Sequence, residues 1–153
     1  MSDNIPQVIL DPLLRLIKSL QLKDIQFVEV TSRRTEIGPA PDPAKGELNL
    51  ASQQQFADGD PLQLDDDVVL FRPKYEFALT QGEKLIFQVS MISAIQFSVQ
   101  DRNEYEATWS DQEVRKAFYE KQLLKTMWPI LRQQLMDCMS RHSLQPVPLQ
   151  WIL

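Results

Sequence analysis

The sequence predicts an α+β fold: a four-stranded antiparallel sheet packed with a long, kinked C-terminal helix and a short N-terminal helix. Three observations carry that expectation. From Val69 the odd positions read Val69, Phe71, Pro73, Tyr75, Phe77 and Leu79, while the even ones include Arg72, Lys74 and Glu76, the period of a half-buried strand. After Gln81-Gly82-Glu83 the pattern returns, with Leu85, Phe87, Val89, Met91, Ile95, Phe97 and Val99 on one side and Gln88, Ser90, Gln96 and Ser98 on the other. Beyond residue 110 the period becomes helical, and Val114, Ala117, Phe118, Leu124, Met127, Leu131, Leu135, Cys138 and Met139 form a broad apolar stripe suited to covering the sheet.

The remaining elements follow in chain order. Asp11-Pro12 reads as an N-cap followed by proline at the first helical position, with Leu13, Leu14, Leu16, Ile17 and Leu20 recurring behind it, so a helix is expected over about 11–21. Ile25, Phe27 and Glu29 then alternate with Gln26, Val28 and Val30, a mixed β-branched pattern that predicts a strand to about Arg33. Gly38-Pro39-Ala40-Pro41-Asp42-Pro43 reads as a crossover loop, because prolines remove ladder donors. Glu47-Leu48-Asn49-Leu50 begins a strand that extends toward Phe56, and Asp58-Gly59-Asp60-Pro61 turns the chain. Ser110-Asp111-Gln112-Glu113 reads as a capping box, with Trp109 and Val114 as its hydrophobic staple. Pro129 lies inside the stripe and predicts two segments or a kink near Thr126. The expected organisation is one domain: an appended N-terminal helix (1–21), sheet (22–109), helix (110–142) and extended tail (143–153).

Composition narrows the function classes. A chain of 153 residues can bury roughly 70% of its unfolded surface in one core. Hydrophobic residues make up 43% and charged ones 24%, ordinary values for a globular protein, and no apolar run reaches the roughly 20 residues of a membrane span. A net charge of −5 argues against a partner held by phosphate neutralisation, so no nucleic acid is expected. Met1-Ser2-Asp3-Asn4 lacks a basic leader, and the single Cys138 cannot close an internal disulfide. Both features suggest a cytoplasmic location.

A search for catalytic chemistry finds little. The four glycines, at 38, 46, 59 and 82, form no phosphate loop. Cys138 and His142 share a helix face, with Asp137 adjacent, but the single histidine brings no neighbouring ligands, and a buried thiol is the simpler reading. Asp65-Asp66-Asp67 lacks the spacing of a calcium loop and reads as a solvated strand end that guards against edge pairing. No cofactor and no metal are expected. The aromatic surplus is the better lead: Phe71, Tyr75, Phe77, Phe87 and Phe97 exceed what one helix needs as a lid, and leftover apolar surface marks an interface. Plain core packing is the competing reading. Trp128, Leu131 and Leu135 are open in the same way, between their own sheet and a second subunit.

Two anchors give these elements a family likeness. Trp128-Pro129-Ile130-Leu131-Arg132, then Ser140-Arg141, then Pro146-Val147-Pro148-Leu149 resemble the Phe-Pro-Tyr-Ala-Arg element, the Ser-Arg-Gly helix end and the Leu/Pro-rich segment of the SecB export chaperones. Lys23-Asp24-Ile25-Gln26-Phe27 is similar to the Lys-Asp-Ile-Ser-Phe of that family's first strand. The resemblance covers about residues 20–153. It implies a cytoplasmic homotetramer, a dimer of dimers, that holds unfolded polypeptides in apolar grooves before export, without ATP or cofactor. On this basis Phe71, Tyr75, Phe77, Phe87 and Met91 are the expected polypeptide-binding residues, and Trp128, Leu131 and Leu135 the expected oligomer interface.

The departures from the family pattern are specific. Asp24 matches an acidic position that meets the translocation motor, whereas its companion falls at Val28 and a further glutamate at Gln88 or Val89. The chain ends at Trp151-Ile152-Leu153 where the family continues into a second helix, and the family's glycine after the arginine is His142. SecB-like chaperones that protect the antitoxin of a toxin-antitoxin pair share such losses, so general export and a dedicated client are both open. Two other classes stand beside the holdase: an adaptor or dedicated chaperone for one folded partner, and a small enzyme using a lone carboxylate such as Glu76 or Asp101.

Overall fold

A computed structural model of the chain describes residues 5–35, 48–55 and 61–144. The expected crossover loop at 38–43, the turn at 58–60 and the tail beyond Leu144 lie outside these residues. Helix α1 (Gln7–Ser19) leads directly into β1 (Leu20–Arg34); β2 (Leu48–Gln55), β3 (Leu62–Asp65), β4 (Val68–Phe71), β5 (Lys74–Gln81) and β6 (Lys84–Val99) complete the sheet. Helices α2 (Arg102–Trp109) and α3 (Gln112–Ala117), a π-helical turn (Phe118–Leu123) and α4 (Leu124–Arg141) follow.

Among the described residues the sheet has six strands where four were expected, and Pro73 accounts for part of the difference. It has no N–H to give the ladder, so the single strand expected from Val69 to Leu79 divides into β4 and β5. Phe71 stands opposite Ile95 and Lys74 opposite Ile92, which keeps one register along β6. Across the break Ser93 N donates to Pro73 O at 3.1 Å. The other edge of β6 carries β1 from Val99 to Phe87, while β2 pairs with β5 and β3 with β4. The six strands thus occupy four lateral positions. Gly82, at φ +62°, closes the β5–β6 hairpin in the left-handed region that glycine adopts without strain.

The apolar face of β4, β5 and β6 meets the helices. Phe71 packs edge-on against Phe97 and Trp109, at 5.5 and 5.4 Å between ring centroids, and lies 5.4 Å from Phe118, geometries that favour aromatic pairs. Leu13 and Leu16 of α1 join this core, and α1 itself lies against α2 and α3.

Four helical details differ from the sequence expectation. Helix α1 starts at Gln7 after Pro6, so Asp11 is not its cap and Pro12 is interior; the carbonyl that Pro12 leaves without a donor belongs to Val8, which is exposed, and water can serve it. Residues 102–109, assigned to the sheet region, form α2, capped by Asp101, whose carboxylate accepts from Glu104 N at 3.1 Å. Because this helix uses Ser110 N to bond Glu106 O, Ser110 ends α2, and Asp111 caps α3 by accepting from Glu113 N at 3.0 Å. The helical irregularity is the π turn at Phe118–Leu123, upstream of the expected break; α4 runs through Pro129, where Lys125 and Pro129 are both exposed and water can serve the freed carbonyl.

Candidate functional site

The five residues expected to bind polypeptide lie in the subunit core. Phe71, Tyr75, Phe77, Phe87 and Met91 are between 0 and 3% exposed, because α1 to α4 cover the face they share. Leu131 and Leu135 are likewise fully buried, against their own sheet. Trp128 is half-buried and lies 6.3 Å from the Phe77 ring. The aromatic surplus read from β5 and β6 is therefore consumed inside the chain. The Tyr75 hydroxyl is buried there without a hydrogen-bond partner, and burial pushes its ionisation above the ordinary phenol range.

Uncovered apolar surface appears one strand further out. On β1, Leu22, Ile25, Phe27 and Val30 stand opposite Phe97, Ile95, Ser93 and Met91, so they continue the core-facing side of the sheet past the helices. Ile25 and Phe27 are half-buried, whereas Leu22 is 42% and Val30 36% exposed. Val28 is 65% exposed and is the extra residue of a β-bulge between Phe27 and Glu29. A bulge shifts the phase of side-chain alternation by one residue, which puts Ile25, Phe27 and Val30 on one face despite their mixed spacing. The mixed pattern in the sequence was the available signal for this row, and a strictly period-two reading passed over it.

The opposite face of the sheet is polar. Two cross-strand rows, Thr31-Ser90-Glu76-Gln53 and Arg33-Gln88-Ala78-Ala51, line a hollow of about 530 Å³. Glu76 pairs with Lys74 at 3.1 Å, and Asp101 serves as a helix cap, so both carboxylates considered for lone catalysis have structural partners. Asp24 is exposed on this polar face, opposite Gln96.

The end of β1 is tied to the end of α4. Ser32 Oγ lies 3.0 Å from His142 Nε2, and Arg34 Nη1 donates to His142 O at 2.9 Å. The His142 ring also lies 5.4 Å from Phe87. Helix α4 closes with Ser143 at φ +58° and Leu144 N bonded to Met139 O at 2.9 Å, a Schellman arrangement. Thus His142 occupies the C-cap, and the left-handed position falls one residue later, on Ser143. Cys138 is fully buried on the preceding turn, and its desolvation pushes the thiol pKa up.

No protein-family model matches the chain, and no curated protein matches it by sequence. Solved structures do. The Mycobacterium tuberculosis SecB-like chaperone, solved in complex with a ChAD peptide from the HigA1 antitoxin, matches over 94% of this chain and 97% of its own at a TM-score of 0.72 and 19% identity. A protein of unknown function from Streptococcus agalactiae reaches a TM-score of only 0.39 at 12% identity, covering 86% of this chain and 97% of its own, too low to inform the fold. Coverage of nearly the whole of both chains, with the α+β order above, identifies the architecture: this chain has a SecB-like fold.

Proposed function

We propose that the chain is a SecB-like holdase that keeps a non-native polypeptide soluble without ATP, with a dedicated client of the antitoxin type as its principal cargo. The observation that carries this reading is the apolar row of β1, in which Leu22 and Val30 are exposed and Ile25 and Phe27 only half-buried, on a fold shared with a peptide-bound chaperone. Holding a chain unfolded needs no reaction step. It needs apolar surface spread over several weak sites, so that summed affinity is high while each contact exchanges quickly. In this reading Phe71, Tyr75, Phe77, Phe87 and Met91 act indirectly, as the packed floor of the same sheet face beneath the helices, which holds β6 and with it β1 in place. Half-buried Trp128 is the remaining candidate for a subunit contact. Assembly into a homotetramer would multiply the number of β1 rows available to one client.

The test is suppression of aggregation of a chemically unfolded model protein and of an antitoxin peptide, without nucleotide. Protection at a few equivalents is expected, along with a solution mass of four times 17.8 kDa. No protection at large excess sinks the proposal.

A further inference from the structure

We propose that the β3–β4 hairpin is a docking surface for a partner protein, through a short segment that carries leucine-sized side chains followed by lysine or arginine. The surface is distinct from the one proposed to hold the client. Leu62 stands opposite Leu70, and Leu70 opposite Gln96. Val69 and Phe71, on either side of Leu70, are buried in the core, so these leucines point to the far face of the sheet. The row Leu22, Ile25, Phe27 and Val30 belongs to the core-facing side, across β6. On the far face Leu62 is 42% exposed and Leu70 half-buried, while Leu64, the extra residue of a bulge between Gln63 and Asp65, is 55% exposed.

The turn beyond them is acidic. Asp65, Asp66 and Asp67 are all exposed, and among the described residues no cation lies within ion-pairing distance of any of the three. The hairpin is fastened to the start of α2: Val99 N donates to Asp67 O at 2.6 Å, and Arg102 Nη1 to Gln63 Oε1 at 3.2 Å. Arg102 also lies 3.7 Å from Glu106, so this cation is engaged, and exposed Asp101 adds a fourth carboxylate two residues past Val99. A solvated guard against edge pairing accounts for the three aspartates. It gives no reason for two exposed leucines in a strand of four residues, because an edge is guarded by removing apolar side chains.

The geometry sets the chemistry of the guest. Adjacent carboxylates repel one another, and a cationic partner relieves that repulsion. Charge changes sign along the surface, because Arg72 is exposed past Leu70, at the end of β4 away from the aspartates. The guest is thereby oriented. Its apolar side chains cover Leu62, Leu64 and Leu70, its cations lie over Asp65 to Asp67, and an acid is tolerated only toward Arg72. A contact of this size is smaller than a stable interface, so it releases quickly and weakens with salt.

The experiment uses the full chain and a fluorescent twelve-residue peptide whose first half alternates leucine with serine and whose second half alternates lysine with serine, with binding read by anisotropy at low salt. A Leu62→Ser, Leu64→Ser double variant and an Asp65→Asn, Asp66→Asn, Asp67→Asn triple variant should each weaken binding at least tenfold, and only the triple variant should flatten its salt dependence. Thermal unfolding of both variants, changed at exposed positions, checks that they remain folded. A peptide with glutamate in place of lysine should not bind, and a saturating unfolded protein should leave the affinity within twofold. No binding of the parent peptide, or an unchanged affinity in either variant, overturns the proposal. Displacement by the unfolded protein also overturns it, because the surface then belongs to the client, as does a changed solution mass of the variants, because a second copy then fills it. Failure to protect any unfolded protein removes the holdase reading alone and leaves this inference standing.

Discussion

Ser32 and His142 stand 110 residues apart in sequence, and their side chains meet at 3.0 Å, joining the end of β1 to the end of α4. Arg34 reinforces the junction by donating to the His142 carbonyl, and the Phe87 ring supports the imidazole. The exposed row on β1 ends at this junction, which fixes one end of the proposed client surface.

Replacing Ser32 by alanine should therefore lower unfolding free energy by about 1 kcal/mol, the usual net worth of one hydrogen bond. His142→Ala should cost about 2 kcal/mol, since it also loses the ring contact with Phe87. Urea denaturation of the two single variants and the double variant checks this. A double variant that costs less than the sum of the two single ones is expected, because both changes remove the bond between these side chains, while Ser32 also has a partner in the Cys138 thiol.

Ser143 predicts a change of the opposite sign. A non-glycine residue at positive φ costs about 1 kcal/mol, and Ser143 holds φ +58° at the helix exit. Ser143→Gly should raise stability by up to about 1 kcal/mol, and thermal unfolding would register it as a higher midpoint. An unchanged or lower midpoint would show that the serine side chain contributes more than its strain costs.

Much of the fold was legible because burial and period largely coincide in β5 and β6: Tyr75, Phe77, Leu79, Phe87, Val89 and Met91 are buried as their alternation predicts, while beside the register shift of the hairpin Ile86 is buried in place of the expected Leu85. The exit residue His142 and the buried Cys138 were also placed on the right helix. What periodicity could not resolve were features that depend on tertiary competition. Ser110 looks like a cap until α2 uses its N–H, and Pro129 looks like a break until it proves to lie on an exposed side of the helix. The site was harder to read for a physical reason. Aromatic richness reports burial demand, and four helical segments meet that demand over Phe71 and Phe77, whereas the uncovered surface lies on a strand whose alternation a bulge disguises.

Alkaline stability follows from two buried acids. Folding raises the pKa of both Cys138 and Tyr75 through desolvation, so each is protonated in the folded chain where its unfolded counterpart has begun to ionise. The associated stability is complete below the unfolded values, 9.0 for the thiol and 10.0 for the phenol, and is lost as pH climbs above them toward the folded values. Unfolding free energy should fall first near pH 9 and more steeply past pH 10. Cys138→Ala should flatten the first part. Tyr75→Phe should flatten the second and add about 1 kcal/mol at neutral pH, because it removes a buried hydroxyl that has no partner. Chemical denaturation from pH 7 to pH 11 tests both.

The division between floor and surface gives the most discriminating prediction. Phe71 and Phe87 are fully enclosed, and truncating either to alanine removes a buried ring from a packed cluster, a loss of about 3 to 5 kcal/mol. Any fall in client binding by those variants should track the unfolded fraction and recover on cooling or with stabilising osmolyte. Val28 and Val30, in contrast, are exposed on β1. Val28→Asp should change stability by less than about 1 kcal/mol and Val30→Asp, at a side chain opposite buried Met91, by about 1 to 2 kcal/mol, yet together weaken protection of an unfolded client at least tenfold, because the added charges would have to be desolvated against apolar cargo. Parallel measurement of unfolding free energy and client affinity separates the two groups. If the Val28 and Val30 variants bind normally while a folded Phe71 variant does not, the recognition surface lies over the helices, and β1 has no part in it.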